Sequence, residues 1–161
     1  MTDAEIEERK KLVQTFKNSE KRHARDKAAI LGALEKKFGP EVRAIFAEER
    51  SKIIREEWRK IAESSEGETP ADLIRVMWEP VKDMFPYEIE REEEGEIQLR
   101  VSGCIFYDVA KEVGIEGTWG YDLFCGNDPF IVAGFNPKMK FERTKTLMDG
   151  DGYCDHCYTL K

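Results

Sequence analysis

The stretch Phe141-Glu142-Arg143-Thr144-Lys145-Thr146-Leu147-Met148-Asp149-Gly150-Asp151-Gly152-Tyr153-Cys154-Asp155-His156-Cys157-Tyr158 decides the fold. Met139, Phe141, Arg143 and Leu147 share one side of a period-two alternation, and Gly150 with Gly152 marks a turn. The pattern predicts a strand over 138–148, a tight turn, and a second strand over 153–160. Arg143 is the residue out of place, because it falls on the side of Met139 and Phe141. A guanidinium turned toward an apolar layer requires an anionic partner, since an unpaired buried charge is strongly destabilising. Two partners are open at this point: a carboxylate of the protein at the sheet edge, or a ligand.

Upstream, a second hairpin has the same period. Tyr87 and Ile89 alternate with Glu88 and Glu90, and Ile97, Leu99 and Val101 alternate with Gln98, Arg100 and Ser102. Four strands of one antiparallel sheet follow. Between the hairpins, 105–113 reads as a helix stopped by Gly114. Residues 119–135 read as partly helical, with a break at Asn127-Asp128-Pro129 where Asp128 is placed to cap a new turn.

The first 66 residues are a different material. Ile6, Leu12, Val13, Phe16 and then Ile30, Leu31, Leu34, Phe38 recur at helical spacing over 3–38, with a polar stretch from Lys17 to Lys27 where the helix either breaks or faces solvent. Gly39-Pro40 ends that helix and starts another that runs to about residue 63, marked by Val42, Ile45, Phe46, Ile53, Ile54, Trp58 and Ile61. After a polar linker, Thr69-Pro70 opens a short helix that ends near Trp78-Glu79-Pro80. His23 reads as a surface residue, and Trp78 and Phe85 as core. The expected architecture is α+β: an N-terminal helical hairpin over 1–66, then an α+β region over 67–161 with a four-stranded antiparallel sheet and helices packed on one face, the two forming one compact domain.

A chain of 161 residues with 40% hydrophobic and 37% charged residues suits a globular domain with a well-solvated surface. Its net charge of −7, with no free basic stripe, argues against nucleic acid as a partner. No apolar run reaches the length of a membrane span, and no apolar signal segment follows Met1, so a cytoplasmic protein is the expectation. The four cysteines then read as thiols, ligands or catalytic groups rather than a disulfide framework. The helical N-terminus suits self-association into a homo-oligomer.

Cys104 stands where a strand meets a helix N-terminus, a position at which amide groups and the helix dipole lower a thiol's pKa. Asp108 follows four residues on, at a spacing that shares its helix face. Cys125 and Asp128 are three apart and can face one pocket. The plain alternative for Cys104 is a small, buried core residue at a strand-to-helix corner. Cys154-Asp155-His156-Cys157 has the spacing of a zinc knuckle, but in a regular strand Cys154 and Cys157 diverge to opposite faces. The sequence demands no cofactor. Were a divalent metal such as zinc or manganese to bind, Cys104, Cys125, Cys154 and His156 would be the set to hold it.

Taken together, Arg100-Val101-Ser102-Gly103-Cys104, Cys125 with Asp128, Gly134-Phe135-Asn136-Pro137, Arg143-Thr144-Lys145-Thr146-Leu147-Met148, Gly150-Asp151 and Tyr153-Cys154-Asp155 resemble, in order, the landmarks of the L-2-amino-thiazoline-4-carboxylic acid hydrolase family. The end of the chain is also similar to vinyl-reductase-type small-molecule-binding domains, in which a cysteine often stands at the position of Thr146. His156 and Cys157 depart from the family, which usually continues after Asp155 with an aromatic residue and an arginine. The resemblance implies hydrolysis of a carbon–nitrogen bond in a small cyclic amidine that carries a carboxylate, giving a carbamoyl-cysteine. It implies a site with Cys104, Cys154, Asp128 and Asp108 as catalytic candidates and Arg143, Thr144, Thr146, Cys125 and Asn136 around the substrate. The alternatives are a non-catalytic small-molecule sensor with the same pocket and a cysteine-based metal module.

Overall fold

The computed structural model describes residues 2–160. Helix α1 (Asp3–Phe38) opens with a capping box, in which the Thr2 hydroxyl accepts from the Glu5 N–H and the Glu5 carboxylate returns to the Thr2 backbone. It runs unbroken through the polar stretch Lys17 to Lys27. Ala24 within that stretch and Ala28 just after it are both buried, and the small side chains let α1 lie close against α4 (Ile105–Val113). The polarity of its neighbours belongs to the solvent side, where Lys17 and Lys21 pair with Glu112. His23 is exposed, as the sequence predicts.

Gly39, at a φ of 95°, turns the chain into α2 (Glu41–Glu63). Helix α2 packs on α6 (Asp128–Phe135), and Gly134 makes the approach possible. A Cβ there would sit 2.7 Å from the Arg55 carbonyl oxygen and 2.9 Å from the Trp58 Cβ. Helix α3 (Pro70–Leu73) starts on a Thr69–Asp72 capping box and widens into a π-helical turn over Ile74–Trp78. Such turns displace side chains from the regular helical face, and this one delivers Met77 and Trp78.

The sheet has the order β1-β2-β4-β3, all antiparallel, from β1 (Tyr87–Glu93), β2 (Glu96–Val101), β3 (Lys140–Glu142) and β4 (Cys154–Thr159). Strands β2 and β4 alternate cleanly: Ile97, Leu99, Val101 and Cys154, His156, Tyr158 are buried on one face. The core formed on that face includes Leu73, Ile74, Trp78, Val132 and Phe135 from the helices. Helix α5 (Gly120–Leu123) and a 3-10 turn over Cys125–Asn127 lead into α6.

The stretch 143–153 departs from the sequence expectation. β3 is three residues long, and no tight turn follows it. Instead the chain descends into a 3-10 turn over Leu147–Asp149 that buries Leu147 and Met148. Those apolar side chains continue the alternation in the sequence because they enter the core, not because the strand persists. Asp155 holds the descent from the outside, accepting from the Thr144 N–H at 2.8 Å and the Thr144 hydroxyl at 2.6 Å. Among the described residues no helix is long and apolar enough to cross a membrane.

Candidate functional site

Between the buried face of the sheet and the helices lies a cavity of about 180 Å³. Its body is apolar and aromatic, with Met77, Trp78, Phe85, Phe106, Phe124 and Ile131 among its walls. Phe106 and Phe124 stack with ring centroids 4.6 Å apart. The polar groups come from Arg143, Asp128, Asn127, His156 and the three thiols of Cys104, Cys125 and Cys154. The volume is smaller than the roughly 300–1,000 Å³ of sites for drug-sized molecules, which restricts an occupant to something compact.

Arg143 finds the anion it requires in Asp128. The two form an ion pair at the cavity wall, and the arginine side chain is 5% exposed. Its guanidinium also donates to the Tyr121 hydroxyl and to the Cys125 carbonyl, each at 3.1 Å. Asp128 opens α6 but caps nothing: Asn127 occupies the cap position, and the Asp128 carboxylate goes to Arg143. Burial opposes the charge on Arg143, and the neighbouring Asp128 overrides it, so the net shift is upward and the guanidinium stays charged. Burial also pushes the Asp128 carboxyl up, to about 6, against the pull of Arg143.

The thiols behave differently from the sequence expectation. Burial pushes Cys104 and Cys125 up to about 12, and raises Cys154 as well. For Cys104 the N–H groups of Phe106 and Tyr107 at the start of α4 act in the lowering direction, as a helix N-terminus should, but desolvation outweighs them. All three are protonated near neutrality. Thr146 touches two of them, its hydroxyl 3.7 Å from the Cys154 Sγ and 3.9 Å from the Cys125 Sγ, and it also accepts from the Met148 N–H. His156 is pushed down by burial to about 3 and is therefore neutral, with Nδ1 3.1 Å from the Tyr158 hydroxyl.

Three candidates lie elsewhere. Asp108 projects from the solvent side of α4, its side chain 56% exposed, and faces Lys17 of α1. Thr144 is bound to Asp155 outside the cavity. Asn136 is buried, but its amide donates to the Glu68 carbonyl and its Oδ1 accepts from the Lys138 N–H, so it pins the linker and the start of β3. Among the described residues, no three His, Cys, Asp or Glu side chains converge as metal ligands, so Cys104, Cys125, Cys154 and His156 do not form the cluster considered above. Sequence reasoning assigned Trp78 and Phe85 to the core without seeing that they line a cavity, and passed over Asn127, Phe106 and Phe124. The two phenylalanines read only as apolar residues of predicted helices, and apolar character does not distinguish a core from a pocket wall; Asn127 stood at a helix break, with nothing in its spacing to point to a cavity.

A family model described as L-2-amino-thiazoline-4-carboxylic acid hydrolase matches residues 18–158. The chain belongs to that family. No curated protein is significantly similar to it in sequence. In fold it is similar to the phenol-responsive sensory domain of the transcription activator PoxR, solved with phenol, at a TM-score of 0.52 and 12% identity over 84% of this chain and 73% of that one. It is also similar to a trafficking protein particle complex subunit 3 from Naegleria fowleri covalently bound to palmitic acid, at a TM-score of 0.50 and 12% identity over 88% of this chain and 96% of the other. At these identities the likeness concerns the fold.

Proposed function

We propose that this protein hydrolyses a carbon–nitrogen bond of a small cyclic amidine bearing a carboxylate, with 2-amino-thiazoline-4-carboxylate as substrate and a carbamoyl-cysteine as product. The family supports the reaction class. The observation that carries the site is a cavity-lining carboxylate, Asp128, that ionises near 6. A base of that strength is ionised near neutrality and still strong enough to accept a proton from water. Asp128 takes that proton as the water oxygen adds to the amidine carbon. The ring carbon–nitrogen bond then breaks as the departing nitrogen takes that proton from Asp128 and the second water hydrogen leaves the new hydroxyl for the same nitrogen by way of Asp128, so that the former amidine carbon becomes a carbamoyl group and the nitrogen a primary amine. Arg143 holds Asp128 in position and meets the substrate carboxylate with N–H groups not spent on Asp128, Tyr121 and Cys125. A thiolate route is disfavoured, because protonated thiols are poor nucleophiles.

The test is turnover of 2-amino-thiazoline-4-carboxylate across pH. With Asp128 acting as an ionised base, kcat/KM rises as pH rises through about 6. Asp128→Asn loses on the order of 100-fold or more in kcat, as expected for removing a general base. Wild-type turnover in Asp128→Asn would contradict the mechanism.

A second reading has its own support: a non-catalytic sensor, favoured by the apolar cavity wall and by the likeness to a phenol-responsive domain. A ligand-induced rise in Tm with no product from any cyclic amidine selects this reading over hydrolysis.

A further inference from the structure

His156 is bound at one end of its ring and open at the other. Its Nδ1 lies 3.1 Å from the Tyr158 hydroxyl, and that hydroxyl accepts from the Trp78 Nε1–H at 3.0 Å. Tyr158 is fully buried, and among the described residues its own proton has no acceptor other than Nδ1. A buried O–H left without an acceptor is destabilising, so the Tyr158 proton goes to Nδ1. The imidazole is neutral, and with Nδ1 accepting, the ring proton stands on Nε2. Among the described residues no protein group meets that N–H. Two unpartnered side-chain polar atoms are sealed from any surface, Trp119 Nε1 and Asn127 Oδ1, and His156 Nε2 is not one of them. His156 keeps 4% of its surface where Tyr158 keeps none, and its ring is part of the cavity wall. The open end is therefore the Nε2 end, on the cavity.

We infer that His156 is a ligand-binding residue of the cavity: its Nε2–H donates to the occupant, selecting compact molecules that present an acceptor, an oxygen or an unprotonated ring nitrogen, to the sheet-side wall. This goes beyond the reaction proposed above, because it applies to a substrate and to a sensed ligand alike. It gives the cavity a neutral donor distinct from the charged Arg143, with a direction set by Tyr158 and Trp78 behind it. A molecule of the same shape without the acceptor leaves the N–H unpaired and forfeits affinity.

Thiazole and thiophene are flat rings of one shape, and only thiazole carries a ring nitrogen that accepts. Their binding, followed by calorimetry and by nitrogen-15 NMR of imidazole-labelled protein, tests the inference. Neither is an amidine, so the result is independent of turnover, and hydrolysis of the thiazoline carboxylate stands or falls by its own assay. The chain has two histidines, so His23→Gln isolates the signals of the His156 ring. The free protein should carry the ring proton on Nε2, and thiazole but not thiophene should shift that nitrogen's resonance. The wild type should bind thiazole on the order of tenfold more tightly than thiophene. In His156→Phe that preference should collapse. A ring proton on Nδ1 overturns the inference, as do equal affinities for the two rings or failure of both to bind. An undiminished preference in His156→Phe at the wild-type Tm overturns it too. If His156→Phe does not fold, the position of the ring proton and the comparison of the two rings, both without that variant, still decide.

Discussion

Asp128 and Asp155 are held by opposite ends of one stretch of chain, and their surroundings drive them apart. Asp155 sits on the outer side of β4, where Thr144 and the backbone N–H groups of Thr144 and Lys145 donate to it. Burial works to raise its pKa, and those donors overcome it and hold the carboxyl below the usual aspartate value. Asp128 sits in the cavity wall with one guanidinium and, among the described residues, no comparable set of backbone donors, and burial carries it up to about 6. One carboxylate is a fastening, ionised under all ordinary conditions. The other is poised to change its proton near neutrality. Two carboxyls separated in this way mark the division between structure and chemistry.

The comparison can be broken most severely at Arg143. Replacement by Met leaves Asp128 buried without its cation, which should lower the free energy of unfolding by about 3–5 kcal/mol at neutral pH. Part of that loss should be recovered as pH falls, because protonation of Asp128 removes the unpaired charge. The sign follows from its raised folded pKa: with Arg143 in place the native state gains stability as pH drops through about 6 toward the unfolded value of 3.8, and without the lowering pull of Arg143 the variant's gain begins at higher pH. Urea denaturation across pH checks both points. A loss below about 1 kcal/mol, the scale of exposed pairs, would show that the ion pair is not buried as described.

At the other carboxylate the effect should be smaller and of a different kind. Asp155→Ala removes the acceptor for Thr144 and Lys145 and should cost about 1–2 kcal/mol. Ligand affinity in the cavity should remain, since Asp155 does not line it. Because the Asp155 pKa is depressed in the folded state, its contribution is present above 3.8 and is lost as pH falls through the lowered value, the reverse of Asp128. The smallest effect belongs to Cys104→Ser, which should leave turnover near wild type because a thiol pushed to about 12 is not the nucleophile. A large loss in kcat with unchanged Tm would return the thiol to the mechanism.

Much of this was legible in the residues. The period of 97–101 and 154–158 gave β2 and β4, and the misplaced charge of Arg143 announced a buried anion before the anion was known. Asp128 was a candidate from its spacing to Cys125. What the sequence hid depends on three-dimensional direction. Asp108 shares a helix with Cys104 but points at Lys17 across the solvent side. Leu147 and Met148 extend an alternating pattern while lying in a 3-10 turn. The burial that overrides the helix terminus at Cys104 comes from side chains distant in sequence, as do the walls of the cavity itself.

The central claim is that Asp128, gripped by Arg143 inside the cavity, exchanges its proton near neutrality. Carbon-13 NMR of the aspartate side-chain carboxyls, assigned with Asp128→Asn and Asp155→Asn, measures this directly. The account predicts an Asp128 midpoint of about 6 and an Asp155 midpoint below 3.8. An Asp128 midpoint at or below that of Asp155 would contradict it.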